Sequence, residues 1–422
     1  MNVEELVRAT LREQAAGTES APADLAGRVL TARRRRRTRH LAGAAVTTVL
    51  VVAAAVAVPA ALDRDGDALR LASESSRGRT LAHADQSPPR DLIAVGEQAL
   101  AAYYTTRKVE QPNHDEIATR TYSVLDQKTG RYEVDARWAY LAVAPGMRTA
   151  AVLERQLPAT RIGILDLLTR KVTRWIPMEG LGGGVGALEF SPDGKKLLAT
   201  TYDKNPHRTF WSKKIPVNNT EEPQPVSSRT GFAIVDVGSG AADWHELPAF
   251  KDPEFGMTFG SGHKLLFNDD GTLIYEPINV AVNAAEDQPA DKVPGRIYRD
   301  LRGKEVPAPP KEKYADLMSA PAGLSPNGEL VAGPFAGGLR TTATQVLDPR
   351  TGERVAKLKG QELLVWADDE RLIAWDIEAG GNEFENRLVL ITIGSDKAVW
   401  LSGARTPKDY SPGSWQPIFA KR

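Results

Sequence analysis

From about residue 90 onward the apolar residues come in short runs broken by Gly, Pro, Asp and Asn, and no later stretch carries the spacing of a long amphipathic helix. Runs of this kind, bounded by turn residues, predict β-strands. One turn recurs along the chain: two or three apolar residues, an Asp, two variable residues, then Thr, Ser or Gly and a return strand. Its copies are "YSVLDQKTGRYEV" from Tyr122, "IGILDLLTRKVTRW" from Ile162, "FAIVDVGSGAADW" from Phe232, "RIYRDLRGKEV" from Arg296, "TQVLDPRTGERV" from Thr344 and a degraded "LVLITIGSDKAVW" from Leu388. The key positions are Asp126, Asp166, Asp236, Asp300, Asp348 and Thr392, with gaps of 40, 70, 64, 48 and 44 residues.

A second turn alternates with the first: "APGMRTAAV" from Ala144, "SPDGKKLLAT" from Ser191, "NDDGTLIY" from Asn268, "SPNGELVAG" from Ser325 and "ADDERLIAW" from Ala367. Each is a polar corner followed by an apolar strand, as hairpin turns require. Two different hairpins alternating make a repeating four-stranded unit, the signature of a β-propeller. The fold class is therefore all-β, with units at roughly 88–135, 136–180, 181–248, 249–309, 313–360 and 361–405. Six blades are favoured, and a seventh, irregular blade is the competing count. The tail "SWQPIFA" (Ser414–Ala420) is one strand too many and is placed to close the ring by pairing with the first blade. The two long gaps arise from polar, proline-bearing insertions at 203–230 and 279–295, each where a second strand turns into a third.

"FSPDGKKLLATTYD" (Phe190–Asp203) followed by "GFAIVDVGSGA" (Gly231–Ala241) resembles the TolB-like and related WD40-like propellers of bacteria. The resemblance runs through the degenerate repeat over residues 88–420 and implies a fold, while function remains to be read from particular residues. The one Trp-Asp pair, Trp375-Asp376, falls at the end of a second strand rather than a third.

Ahead of the repeats the pattern is different. Leu41–Leu62 holds no Asp, Glu, Lys or Arg over 22 residues. As a helix it spans about 33 Å, enough for a hydrocarbon core of about 30 Å. Residues 1–40 carry nine arginines, among them Arg33, Arg34, Arg35, Arg36, Arg37 and Arg39, against five acids, and the far side opens with Asp63, Asp65 and Asp67. Basic residues flank the cytoplasmic side of a span and meet lipid headgroups there. This predicts a single-pass anchor with its N-terminus inside and its propeller outside. A secretory leader cut near Ala55-Val56-Ala57 is the alternative, leaving the propeller secreted. Within the first 40 residues, Asn2–Ala16 and the stretch after Ser20 each place apolar residues on one helical face. A basic stub before an anchored propeller looks like membrane proteins of high-GC actinobacteria. The layout of inner segment, single span and outer domain is also shared by anti-sigma factors, which implies residues 1–32 as a docking segment for a cytoplasmic partner.

The resulting domains are a cytoplasmic segment of two short helices (1–40), a transmembrane helix (41–62), a juxtamembrane linker (63–88) and the propeller (89–420). Charge and candidate chemistry refine this only a little. The 54 basic and 54 acidic residues balance, and with the first 40 residues at +4 the remainder stands at −4, so no nucleic acid partner is expected. The absence of cysteine removes disulfides, thiolate metal sites and thiol nucleophiles. The six histidines show no metal-ligand spacing and no Gly-x-Ser-x-Gly elbow occurs, so neither catalysis, cofactor nor metal is expected. "GLGGGVG" (Gly180–Gly186) reads as a tight inter-blade connection, and Trp138, Trp175, Trp244 and Trp400 as inter-blade core. Phe210 and Trp211, an aromatic pair inside the 203–230 insertion, are candidate contact anchors for a protein partner. The expected partners are membrane lipid for the anchor, and other proteins for the propeller face and the insertions at 203–230 and 279–295.

Overall fold

In the computed structural model the described residues are 72–422 apart from 76–77, 213, 218–219, 224–227, 249–263, 278–295, 316–320, 338–341, 378–384 and 407–414. The expected anchor, the arginines at 33–37 and 39, the two inner helices and the 279–295 insertion lie outside them. Among the described residues no helix is long and apolar enough to cross a membrane.

Six antiparallel blades follow one another. The first is built on β2 (Gln98–Glu110), β3 (Glu116–Leu125) and β4 (Tyr132–Asp135), with a short β1 (Ala94–Val95) beside the start of β2. The second is β5 (Trp138–Val143), β6 (Thr149–Glu154), β7 (Arg161–Asp166) and β8 (Lys171–Pro177). The third is β9 (Gly184–Phe190), β10 (Lys196–Tyr202), β14 (Arg229–Asp236) and β15 (Ala242–Glu246). Its insertion contributes β11 (Arg208–Thr209), β12 (Lys214–Val217) and β13 (Thr220–Pro223). The fourth is β16 (Leu266–Phe267), β17 (Leu273–Pro277), β18 (Arg296–Asp300) and β19 (Glu305–Val306). The fifth is β20 (Val331–Phe335), β21 (Thr344–Leu347) and β22 (Arg354–Leu358), with the Leu324–Val331 bridge standing for its innermost strand. The sixth is β23 (Glu362–Trp366), β24 (Arg371–Ile377), β25 (Asn386–Thr392) and β26 (Ala398–Trp400).

The ring closes where the tail pattern predicts. β27 (Trp415–Lys421) pairs antiparallel with β2, from Gln98 opposite Lys421 to Thr105 opposite Trp415, and so becomes the innermost strand of the first blade. A strand edge that would otherwise be open is thereby paired by chain more than 300 residues away.

The two alternating turns have distinct chemistry. At the end of the third strand in the first five blades an Asp carboxylate accepts backbone N–H groups of the turn ahead of it. Asp126 takes Lys128 and Thr129 at 2.7 and 3.0 Å, and Asp166 takes Thr169 at 2.6 Å. Asp236 takes Ser239 at 2.6 Å, Asp300 takes Arg302 and Lys304, both at 2.9 Å, and Asp348 takes Arg350 at 2.7 Å. The corners between first and second strands use the same device from a different position, as in Asp193 accepting Lys195 N–H at 3.0 Å and Asp270 accepting Thr272 N–H at 2.8 Å.

Burial explains why the second strands read as unbroken apolar runs. β6, β10 and β24 are buried on both faces between neighbouring blades, whereas the outer strands β8, β15 and β22 are largely open. The core is accordingly divided into inter-blade layers. One joins the second and third blades through Leu153, Ile162, Val185 and Leu197, and another joins the sixth and first through Trp375, Leu390, Tyr103 and Trp415. Trp138 and Trp175 lie in the layer between the first and second blades and Trp244 packs on the layer between the second and third, as expected of inter-blade core. Trp400 departs from the expectation. It lies on the outermost strand β26 and is 39% exposed beneath Arg387, because the fourth strand of the blade faces solvent.

Two connections also merit comparison with the pattern. The Gly-rich stretch does carry the chain from β8 to β9, and at Gly183 (φ +101°) an added Cβ would collide with the Tyr202 carbonyl oxygen. The stretch read as a linker to residue 88 is drawn onto the ring from Ala72. Ser73 is buried and bonds Gln127 at 2.9 Å, Leu81 bridges to Ala94, and Arg422 donates to the Arg79 carbonyl at 3.0 Å.

Candidate functional site

Since strands alternate in direction, the loops between second and third strands emerge on the same face as the crossings between blades. On that face the first blade overshoots. β2 and β3 run for 13 and 10 residues, against 6 and 6 for the corresponding β6 and β7. They form an arm still paired at Glu110 opposite Glu116.

The 203–230 insertion meets this arm. β11 pairs with Ile117 and Glu116, and Ala118 N–H donates to the His207 carbonyl at 3.0 Å. The join is locked by Asp115 at the arm's tip, which is 1% exposed. Its carboxylate accepts Arg208 Nε at 2.9 Å, Ser212 N–H at 2.9 Å and Asn113 Nδ2 at 2.9 Å. Burial pushes the Asp115 carboxyl up, but the Ser212 amide, the Asn113 and Ser212 side chains and Arg208 outweigh it and hold it down at about 2. A carboxyl depressed in the folded state contributes its stability in full above the usual value near 4 and loses it as pH falls through about 2. Pepsin cleavage at Phe210 is therefore expected to rise steeply between pH 4 and pH 2, and Asp115→Asn should give the susceptible state already at pH 4. Equal cleavage of both proteins at pH 4 would exclude Asp115 as the lock.

Phe210 and Trp211 belong to this clasp. The Arg208 guanidinium lies 5.2 Å over the Phe210 ring, and Trp211 donates to Glu116, whose carboxyl Lys108 and Trp211 hold below the usual range. Both rings are half-buried against the arm, so part of each stays open.

Beneath the clasp the inner strands β5, β9, β16 and β27 enclose a central cavity of about 880 Å³. Tyr104, Arg120, Tyr140, Glu189, His207 and Lys264 line it. Glu189 lines the cavity and keeps 27% of its side-chain surface open. Burial pushes its carboxyl up to about 7 despite Lys264 at 3.8 Å. Burial, with the charge of Arg120, pushes His207 down to about 3, so its imidazole is neutral near pH 7. The Arg120 guanidinium lies 4.5 Å over the Tyr104 ring and 5.1 Å over the Tyr140 ring, and donates to Tyr122 Oη at 3.5 Å. Among the described residues no three metal-ligating side chains converge.

None of the cavity's charged residues stood out in the sequence, although a signal existed. Glu189 is the lone acid within the apolar inner strand "GVGALEF", and Arg120 interrupts "EIATRTYSVL" just before its buried half. A charge placed in such a run marks a side chain aimed at something polar. The repeat-turn Asp residues, by contrast, all lie in hairpin turns away from the cavity.

Comparison with known proteins finds structural neighbours of low identity. No protein family matches the sequence, and no curated protein does so. Among solved structures, TolB from Acinetobacter baumannii is 14% identical with a TM-score of 0.36, over 74% of this chain and 68% of that one. The β-propeller domain of the trilobed protease from Pyrococcus furiosus is 12% identical with a TM-score of 0.36, over 74% and 82%. Hydrazine synthase from Kuenenia stuttgartiensis is 14% identical with a TM-score of 0.32, over 63% of this chain and 65% of that one, so this chain spans less than two thirds of it. The six-bladed propeller rests on the strand pairing of this chain itself.

Proposed function

We propose that the chain is a membrane-anchored, extracytoplasmic β-propeller that acts without catalysis as a protein-binding scaffold or sensor. The observation that supports this reading is the clasp. Ring closure needs neither the overshooting arm nor the insertion, yet the two are joined through a fully buried carboxylate on one face. Buried polar networks of this kind hold a surface in one shape, which is what recognition of a partner requires.

The test is crosslinking and co-purification from membranes with three proteins: the full chain, an Asp115→Ala/Arg208→Ala variant, and a variant lacking residues 2–32. The full chain and the shortened one should capture the same envelope proteins, and the clasp variant should lose them. Capture unchanged in the clasp variant would remove the clasp as the contact surface. A cytoplasmic protein captured only when residues 2–32 are present would favour a transmembrane regulator instead. Topology is checked separately, since the chain lacks cysteine. A Ser395→Cys variant, at an exposed turn, should react on intact cells with a membrane-impermeant maleimide.

A further inference from the structure

We propose that the central cavity is a binding site for a small carboxylate, whose anionic group sits against Arg120. This goes beyond the scaffold reading and does not depend on it.

Three observations converge. First, the cavity's volume of about 880 Å³ is that of a small-molecule site rather than a packing defect. Second, its charges do not cancel in place. Arg120 has no carboxylate within ion-pair distance among the described residues, while Lys264 has a 3.8 Å approach to Glu189, whose Oε2 accepts no hydrogen bond. Arg120, Lys264 and Lys421 thus line the cavity against two carboxyls, Glu189 and Asp269, both of which burial biases towards the neutral form. The surplus is positive and gathered on one cavity wall, where an anionic group is favoured. Third, the cation is pre-positioned. Contacts to the Tyr104 and Tyr140 rings and to Tyr122 Oη restrain the planar guanidinium, whose fork suits pairing with a carboxylate. The same two rings supply apolar and aromatic surface for the rest of the ligand.

The other polar groups near this point are held by protein partners or neutral. His207 is neutral, and Asp269, also on the cavity wall, is bonded by the Leu324 N–H at 3.0 Å. Serine is represented by Ser191, whose hydroxyl is committed to Asp193 at 2.6 Å. The arrangement binds an anion and contains no activated nucleophile to transform it.

Two sources share this chemistry: a free small acid, and the carboxylate at the end of a peptide chain. Calorimetric titration with hippurate, with its amide hippuramide, and with the tripeptide Gly-Gly-Phe as free acid and as amide separates them. The expected result is that one or both acids bind and neither amide does. Hippurate binding with a silent tripeptide assigns a free acid, and the reverse assigns a chain terminus. Arg120→Gln should weaken the acid at least tenfold with an unchanged melting temperature, and Glu189→Gln, which removes the competing carboxyl, should tighten it. Equal binding of acid and amide overturns the proposal, as does failure of both acids to bind below about 10 mM. Should Arg120→Gln not fold, the acid-against-amide comparison on the unaltered protein still decides.

Discussion

Replacing Trp415 by alanine is expected to lower the unfolding free energy by about 3–5 kcal/mol, because it empties the joint at which the ring closes. Trp415 begins β27, is 1% exposed, and packs edge-on against Trp375 at 5.1 Å and Tyr103 at 5.7 Å. Its indole N–H donates to Ser87 Oγ at 3.1 Å, and Arg405 fills the remaining space over Trp375 at 3.8 Å. The side chain therefore links the first blade, the sixth blade and the segment preceding β1 at one point. Loss of it removes the buried surface of a whole indole and leaves the Ser87 hydroxyl to find another partner. Removal of residues 415–422 goes further. It leaves the β2 edge unpaired from Gln98 to Thr105 and should give aggregation instead of a folded monomer. Urea unfolding of the point variant, beside size-exclusion of the truncated chain, checks both statements. A cost below about 1 kcal/mol for Trp415→Ala would mean that closure rests on the backbone pairing alone.

Glu276→Ala should cost a similar amount, about 3–5 kcal/mol, for an electrostatic reason. Arg229 opens β14 in the third blade and Glu276 stands near the end of β17 in the fourth, with their side chains 2.6 Å apart and only 4% and 2% exposed. The second oxygen of Glu276 faces Arg299 at 3.8 Å. Truncating the acid takes the carboxylate from the buried Arg229 guanidinium and leaves Arg299 with Glu305 at 3.8 Å. Removing the charges together is milder, since the cost of desolvating the pair disappears along with its attraction. The double change Arg229→Met/Glu276→Leu is accordingly expected to be less destabilising than Glu276→Ala alone. If the double variant is the worse of the two, the pair is a net source of stability rather than a device that fixes how these blades meet.

The repeat was legible because its cause is local. An Asp or Asn that closes a turn on the next backbone N–H groups needs only its neighbours, so Asp126, Asp166, Asp236, Asp300 and Asp348 reveal the third-to-fourth-strand hairpins without any tertiary knowledge. Apolar runs at the second strands follow from burial between blades on both sides, which composition records directly. The surplus strand at 414–420 was legible too, as a strand pattern with no hairpin partner in its own unit.

The amino-acid sequence by itself determined the blades, their order and the strand that closes them, since each rests on short-range periodicity and turn chemistry. Only the tertiary structure decided what the ring encloses. Arg120, Glu189 and Lys264 come from three different blades, and nothing in their local sequence states that curvature of the ring turns them towards one cavity. The clasp is of the same kind. Asp115 and Arg208 are 93 residues apart, and their pairing depends on an arm and an insertion reaching one another across the face of the ring. Hairpins are set by neighbours in the chain, whereas sites are set by neighbours in space, and a propeller gathers the second kind from every blade.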